Sequence, residues 1–380
     1  MMVNSHIQRN LKVFATRWYS TQMKCFQIDQ YAPSVDQLKY QLKSSFPGDK
    51  FIKSDEALVR IHAASINPFD IEMSRGYGRN AINLVRKYAN SNEFPLILGR
   101  DFSGVIIKSG RLFKRFKKGD PVYGVRWVSG QGTHAEYVVV KKTEISPKPN
   151  NLTHVEAASL PYVACTTWSA LINSGAVPIR GSQKLKIFVP GVTGGIGSFA
   201  SQLCKAYGHN ITASCSTNGI NKVKRIISID DVIDYTNIDY EQDLRNAGPF
   251  DVILDTQNEK YIDLYKKMMK DSLKSKYVSL RPTLLPDTDS KGIPIGLLNA
   301  GIRYIGNSFD QLNSGKGQYH WGFFSPDGMI LDRIKNLVEN GSIKPFIDRV
   351  FSIDDIVDAY KHVEKGHSQG KTIIKMVDEE

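Results

Sequence analysis

Few folds are open to a chain that runs from an apolar strand through a glycine-rich turn directly into a helix, and residues 184–208, KLKIFVPGVTGGIGSFASQLCKAYG, do so. Leu185 to Val189 are apolar on consecutive residues apart from Lys186, the pattern of a parallel strand covered on both faces. Gly191, Gly194, Gly195 and Gly197 allow a tight turn and leave no side chain between the backbone and a pyrophosphate. Ile196, Phe199, Ala200, Leu203 and Tyr207 then recur at helical spacing, and Gly208 is a natural stop. The free amides at the helix N-terminus, with about half a positive charge from the helix dipole, would face the anion. The spacing G-x-x-G-x-x-G is looser than the dinucleotide fingerprint, so in isolation it equally describes a plain strand-to-helix connection.

The segments downstream of this helix favour the nucleotide reading. Strand-like ITASC from Ile211, VIDY from Val232, FDVILDT from Phe250, KYVSL from Lys276 and IRYIGNSF from Ile302 alternate with helical stretches such as KYIDLYKKMMKDS from Lys260. Six strands with intervening helices predict a doubly wound parallel sheet that holds its ligand over the carboxyl ends of the strands. The second of these strands ends Cys215-Ser216-Thr217, without the Asp or Glu that binds a ribose 2′-hydroxyl in NAD sites. Ser216, helped by Lys222, Lys224 or Arg225, suits a 2′-phosphate, so NADPH is the expected cofactor. The competing reading of those cations is a solvated helix face.

The first 28 residues contain no Asp or Glu, carry Arg9, Lys12, Arg17 and Lys24, and place Ile7, Leu11, Phe14 and Trp18 at helical spacing. That is the pattern of a mitochondrial presequence, expected over residues 1–20, with the mature protein in the matrix. The formal charge of +12 loses Arg9, Lys12 and Arg17 with such a segment, leaving +9. A basic surface is compatible with peripheral contact to an anionic membrane, but no arginine-rich block or nucleic-acid motif points to specific RNA or DNA recognition. No apolar run approaches the ~20 residues of a membrane-spanning helix. The four cysteines, Cys25, Cys165, Cys204 and Cys215, form no C-x-x-C pair and have no His at metal-ligand spacing, so they read as free thiols and no metal site is expected.

From Met23 to about Lys148 the texture is all-β: short strands such as EALVRIHAASINP, DFSGVIIKSG and THAEYVVV lie between turn signals at Asn67-Pro68 and Gly119-Asp120-Pro121. Residues 79–92 look like a surface insertion. Residues 151–177 return to helical periodicity and form the natural joint. A helix around Gly328 to Glu339 and a closing strand, helix, turn and strand in VFSIDDIVDAYKHVEKGHSQGKTIIKM complete the chain.

These segments resemble the zinc-free quinone oxidoreductase branch of the medium-chain dehydrogenases and reductases. The carriers are AASINPFD (63–70), FPLILGRDFSGVI (94–106), KKGDPVYG (117–124), EAASLPYVACTTWSAL (156–171), the glycine turn, DDVIDY (230–235) and GKTIIK (370–375). The resemblance implies an α/β fold in which a Rossmann domain (153–318) is inserted into a GroES-like β-barrel catalytic domain (21–152 and 319–380), with the active site in the cleft. It implies that Thr193, Gly195 and Ile196, with Gly194 and Gly197, hold the pyrophosphate, and that Ser216 and Tyr235 bind the adenosine phosphate end. Leu280, Phe323, Phe324, His367 and Ser368 would line the rest of the channel, with Asn67 near the nicotinamide. Two departures stand out: LDTQNEK lacks the family's Gly after the fourth strand, and Gln369 stands where relatives often carry Arg.

Zinc-dependent relatives have His where this chain reads Gly99-Arg100-Asp101, and a four-cysteine lobe that is missing here. Without a Lewis acid, the chemistry expected is hydride delivery from NADPH to a quinone or conjugated enone. Asn67 and Tyr77 are the candidate donors to the acceptor oxygen; their bland alternatives are a turn residue and a packing ring. His134 reads as a surface strand residue or a proton shuttle, His367 as a cofactor contact, and Asp101 as structural, paired with backbone or with Arg100. The resemblance also implies a connection with ubiquinone synthesis and respiratory-chain upkeep, with ubiquinone-synthesis proteins or a reticulon as partners, in a monomer or homodimer. The rival classes are an NADPH-bound scaffold with vestigial turnover and, favoured only by the high pI, an RNA-binding protein.

Overall fold

The computed structural model describes residues 22–45, 52–89, 91–179, 183–257, 261–366 and 368–377. The expected presequence and His367 lie outside them. Short strands separated by turn residues build the N-terminal part: β1 (Gln22–Ile28), β2 (Tyr40–Ser45), β3 (Glu56–Ile66), β4 (Leu96–Ile97), β5 (Asp101–Ser109), β6 (Pro121–Val125), β7 (Tyr137–Lys141) and β8 (Ile145–Pro147). Two helices interrupt them, α1 (Pro68–Ser74) and α2 (Arg79–Tyr88), so the insertion expected over residues 79–92 is built mostly as a helix. Asn67-Pro68 is the start of α1, because Pro at the first helical position gives up an amide that has no partner there anyway.

Two short helices, α3 (His154–Ala157) and α4 (Pro161–Thr167), and a π-helical turn Trp168–Ser174 lead into the parallel sheet. Its elements are β9 (Lys186–Pro190), α5 (Gly195–Ala206), β10 (Asn210–Cys215), α6 (Thr217–Ile226), β11 (Asp231–Asp234), α7 (Tyr240–Ala247), β12 (Val252–Asp255), α8 (Ile262–Lys267), β13 (Lys276–Ser279), α9 (Leu284–Lys291), α10 (Ile293–Asn313) and β14 (Gln318–Trp321). The strand order is β11-β10-β9-β12-β13-β14, parallel throughout, which is the doubly wound α/β fold expected.

One strand expectation fails. IRYIGNSF from Ile302 belongs to α10, and the sixth strand is Gln318–Trp321. The β-branched and aromatic residues of 302–309 imitate a strand, but their true period is helical, and several of them face water rather than a sheet neighbour.

The chain then closes through α11 (Gly328–Glu339), β15 (Ile347–Ser352), α12 (Ile356–Glu364) and β16 (Lys371–Lys375). The last two strands return to the β-rich half, where β16 pairs antiparallel with β3 in the order β15-β16-β3-β5-β6-β8. One apolar cluster joins the halves: Tyr123 and Val125 of β6, α4, Phe199 and Leu203 of α5, and Ile330, Leu331 and Ile334 of α11.

His134 corrects another expectation: it is fully buried. Its Nε2 lies 3.1 Å from the Ser65 carbonyl, which can only accept, so Nε2 carries the hydrogen and Nδ1 accepts from the Tyr360 hydroxyl at 2.8 Å. Burial pushes its pKa down from 6.5 to about 3, opposed by the Ser65 bond and reinforced by Arg100 and Lys371. A base whose folded pKa is depressed gives full stability above pH 6.5 and loses it progressively on acidification, here by about 2 kcal/mol at pH 5. Melting curves between pH 7 and 5 are therefore expected to fall steeply for the wild type. His134→Gln should flatten that slope by about one proton; an unchanged slope would refute the assignment.

Candidate functional site

The carboxyl ends of β9 and β12 diverge where the strand order reverses, and a cavity of about 370 Å³ opens there, between the sheet and the β-rich half. The glycine turn forms one wall. Gly191 has φ +70°, and a Cβ on Gly197 would stand 2.4 Å from the Gly191 oxygen and 2.9 Å from the Val192 Cα. Gly194 caps α5 without a side chain, and the amides of Gly195, Ile196 and Gly197 have no carbonyl of their own helix to bond. Gly194, Gly195, Ile196 and Gly197 all line the cavity.

The start of β16 and the residues just before it form the opposite wall. Ser368 and Thr372 line the cavity, and both hydroxyl oxygens are buried without a hydrogen-bond partner. Two orphaned hydroxyls facing a cradle of free amides fit a phosphorylated ligand. The missing Gly of LDTQNEK has a visible consequence. Thr256 and Gln257 line the cavity instead, and the Gln257 amide sits against Gly191, where a Cβ would come within 2.0 Å of its nitrogen.

At the end expected to take the adenosine, Ser216 N-caps α6 with a hydroxyl that bonds no helix amide. Tyr235, exposed, follows the adjacent strand β11, and its amide bonds the Cys215 carbonyl. Thr193 touches the start of α6, since a Cβ on Gly219 would lie 2.5 Å from its methyl. The expected cations need correction. Lys224 and Arg225 sit in the last turn of α6, roughly 12 Å along the axis from Ser216. Lys222 instead bonds the Gln369 carbonyl and lies 4.8 Å over the Phe346 ring. An acid that sequence reasoning passed over, Asp234, ends β11; hydrogen bonds from Thr217 at 2.5 Å and Thr236 at 2.6 Å hold its carboxyl below the usual range.

The floor is a buried polar cluster. Asp101 Oδ2 accepts from Ser65 Oγ at 2.5 Å, Asn67 Nδ2 at 2.9 Å and Lys371 Nζ at 3.0 Å, while Oδ1 accepts from the Tyr162 amide at 2.5 Å. Arg100 turns to Asp70, 3.9 Å away, and bonds the Trp127 carbonyl at 2.7 Å, so Asp101 pairs with Lys371 rather than with Arg100. Burial raises Asp70 to about 6, against the pull of Arg100. Asn67 Oδ1 accepts from Lys371, and its Nδ2 faces the carboxylates of Asp101 and Asp70. Its amide is therefore spent within the wall, which removes it as the donor to an acceptor oxygen. Lys371 lines the cavity with a third ammonium hydrogen to spare; its segment GKTIIK carries the resemblance, but no site role was expected of it.

Tyr77 stands outside the residues that line this cavity. Its ring meets Phe69 edge-on at 6.0 Å, Phe69 stacks on Tyr162 at 6.1 Å, and Tyr162 stacks on Phe324 at 4.6 Å. Burial raises the Tyr77 pKa, with nearby Arg281 opposing, so the phenol stays protonated. Phe323 is exposed beside Trp321, and Leu280 packs under Gly322. The halves are clasped beside Tyr77: Asp289, just past mid-α9, accepts from the Gly78 amide at 2.5 Å and the Asn80 amide at 3.0 Å, capping α2 from across the cleft. Among the described residues, no group of three or more His, Cys, Asp or Glu is placed to hold a metal ion.

Both halves of the chain have counterparts among known proteins. Residues 53–150 match the alcohol dehydrogenase GroES-like domain, and residues 227–374 match a zinc-binding dehydrogenase family. The chain is 38% identical over 368 residues to a mitochondrial NAD(P)H oxidoreductase, RTN4IP1, of Danio rerio, covering 95% of this chain and 93% of that one. The human protein of that name is 36% identical, covering 96% and 92%. A 2-methylene-furan-3-one reductase of Solanum lycopersicum is 30% identical, covering 93% and 79%. Among solved structures, the quinone oxidoreductase of Coxiella burnetii superposes with a TM-score of 0.74 at 23% identity, over 94% of this chain and all of that one, a likeness of fold.

Gly197→Ala tests the cradle. Its methyl must displace backbone, so nicotinamide cofactor affinity is expected to fall at least about tenfold by calorimetry, with a stability cost of about 1–3 kcal/mol. Wild-type affinity in that variant would mean that the ligand does not use this turn.

Proposed function

The chain belongs to the family of these NAD(P)H oxidoreductases, within the medium-chain dehydrogenases and reductases, and from that premise we propose that it is a mitochondrial NADPH-dependent reductase of quinones or conjugated enones. It is an oxidoreductase of a nicotinamide cofactor; the phosphorylated form and the acceptor class are the proposal. The observation that carries it is the shared cavity, which sets free helix amides and two orphaned hydroxyls against a wall holding a buried ammonium.

NADPH would lie with its pyrophosphate on Gly194–Gly197, its 2′-phosphate by Ser216 and Tyr235, and its nicotinamide toward Asn67; bound there, it supplies a hydride to an electron-poor carbon. The residues of the chain do the rest. Asn67, held on three sides, fixes the direction of the Lys371 ammonium. Lys371 stabilises negative charge that develops on the acceptor oxygen, in a wall shielded from water. Tyr77, kept neutral by burial, ends the aromatic run at the clasped mouth and acts there by packing rather than on the acceptor. The final proton comes from solvent. The names of the relatives support mitochondrial residence, and a role in ubiquinone synthesis belongs to this reading as its physiological extension.

The alternative is an NADPH-bound scaffold, for instance for a reticulon, the partner named in a Caenorhabditis elegans relative. Steady-state oxidation of NADPH in the presence of quinones and enones separates the two: acceptor-dependent turnover supports the reductase, and tight NADPH binding with turnover at the solvent background supports the scaffold. Ser216→Asp should weaken NADPH binding by about tenfold or more through charge repulsion while sparing NADH; equal effects on both would move the 2′-phosphate elsewhere. Lys371→Met is expected to lower kcat by about 100-fold with NADPH affinity little changed, and Lys371→Arg to retain most of the rate. An unaltered kcat in the Met variant would leave Lys371 a purely structural role.

A further inference from the structure

Helix α2 turns its apolar stripe outward. Ile82 and Arg86 form its buried side, where the Arg86 guanidinium is spent on the Asn83 side chain at 2.9 Å and the Ser129 carbonyl at 3.2 Å. Ala81, Leu84, Val85 and Tyr88, spaced three, one and three residues apart, fall on the opposite side of the helix. Leu84 is 42%, Val85 54% and Tyr88 84% exposed. Trp127, 43% exposed, stands at the C-terminal end of α2, where it borders the same hollow as Ala89 and Ser91. A surface helix ordinarily turns such a stripe to the core, so an apolar patch left outside marks a contact with something else.

Charge and residue type identify the occupant as a lipid surface. Between Glu72 and Glu93 the chain has no Asp or Glu but carries Arg75, Arg79, Arg86 and Lys87. Arg75 pairs with Glu72 and Glu364, and Arg86 is buried. Arg79 and Lys87, near opposite ends of α2, are exposed, and among the described residues neither is paired with a carboxylate. An apolar stripe with free cations at its margins and Tyr and Trp beside it matches the headgroup region of an anionic bilayer. A second copy of the chain would instead set cations against cations.

The position of the stripe gives the contact a use. The cavity is open to solvent beside Arg75 and Arg281, and α2 begins at Arg79, at the clasped mouth. We propose that the protein docks on anionic phospholipid bilayers through Leu84, Val85, Tyr88 and Trp127, with Arg79 and Lys87 on the headgroups, so that a quinone dissolved in the lipid enters the cleft without crossing water. The docking surface stands on its own geometry; its use rests on the reductase reading above.

The expected presequence is itself basic and amphipathic, and removing residues 1–20 leaves every described element in place, so that form is the one to test. It is expected to float with vesicles of equal parts phosphatidylcholine and phosphatidylglycerol, and to bind phosphatidylcholine alone about 30-fold more weakly, roughly fivefold for each free cation. V85S/Y88S should lose at least about tenfold in vesicle affinity. Because both side chains are exposed, its melting by circular dichroism and its oxidation of NADPH by a short, water-soluble quinone should match the wild type. R79Q/K87Q should bind the two kinds of vesicle alike. Turnover of a long-chain quinone carried in the anionic vesicles should fall with vesicle affinity in both variants. A wild type left in the aqueous fraction, a V85S/Y88S variant that floats like the wild type, or an R79Q/K87Q variant that keeps the anionic preference overturns the docking surface. Turnover of the vesicle-borne quinone that persists when vesicle binding is lost overturns its use. Vesicle binding without turnover of any acceptor, short or long, sinks the reductase reading and leaves the docking surface standing.

Discussion

Asp101 is the point on which the rest of the molecule turns. One buried carboxylate receives a hydroxyl from β3, an amide from the start of α1, an ammonium from β16 and a backbone N–H from the first turn of α4. Three segments far apart in sequence, at residues 65–67, 162 and 371, are thereby fixed to Asp101, and the helix that leads into the parallel sheet is fixed to the β-rich half. Its negative charge also sits at the N-terminus of α4, where the helix dipole favours it. With Asp70, Arg100 and Lys371 the cluster holds two acids and two bases, so its net charge is zero. Removing any one member would strand a buried charge, a loss of about 3–5 kcal/mol.

That hub determines the geometry of the cleft. Lys371 is held at the wall because Asp101 and Asn67 both bind it, and its stem passes Gly195 so closely that a Cβ there would stand 2.8 Å from Cδ. The fold thus brings the C-terminal strand against the glycine turn. The Asp289 cap on α2 and the aromatic sequence Phe324, Tyr162, Phe69, Tyr77 repeat the same device nearer the mouth, each crossing between the halves.

Much of this architecture is legible in the chain where the signal is local. The glycine turn announces itself because only glycine tolerates φ +70° at Gly191 and the close approach at Gly197. Consecutive apolar residues mark β9 and β12 at the centre of the sheet, since strands buried on both faces cannot alternate. The sixth strand is misplaced by sequence because 302–309 has the composition of a strand and the period of a helix. His134 reads as a surface residue because the alternating pattern of its segment does not reveal that a helix covers it. The expected roles of Asn67 and the α6 cations fail for one reason: which atom a polar group reaches depends on neighbours that only folding supplies.

The sequence by itself determined the doubly wound sheet, the glycine turn and the family, because each is written in local patterns, single or repeated along the chain. Tertiary structure decided which charges meet. Lys371 beside Asp101, Gln257 against Gly191 and Asp289 capping α2 all join residues more than 60 positions apart, and such contacts follow from chain topology rather than from local pattern. The same holds for the stripe on α2: its spacing is written in the chain, but only the packed fold leaves that side of the helix in water.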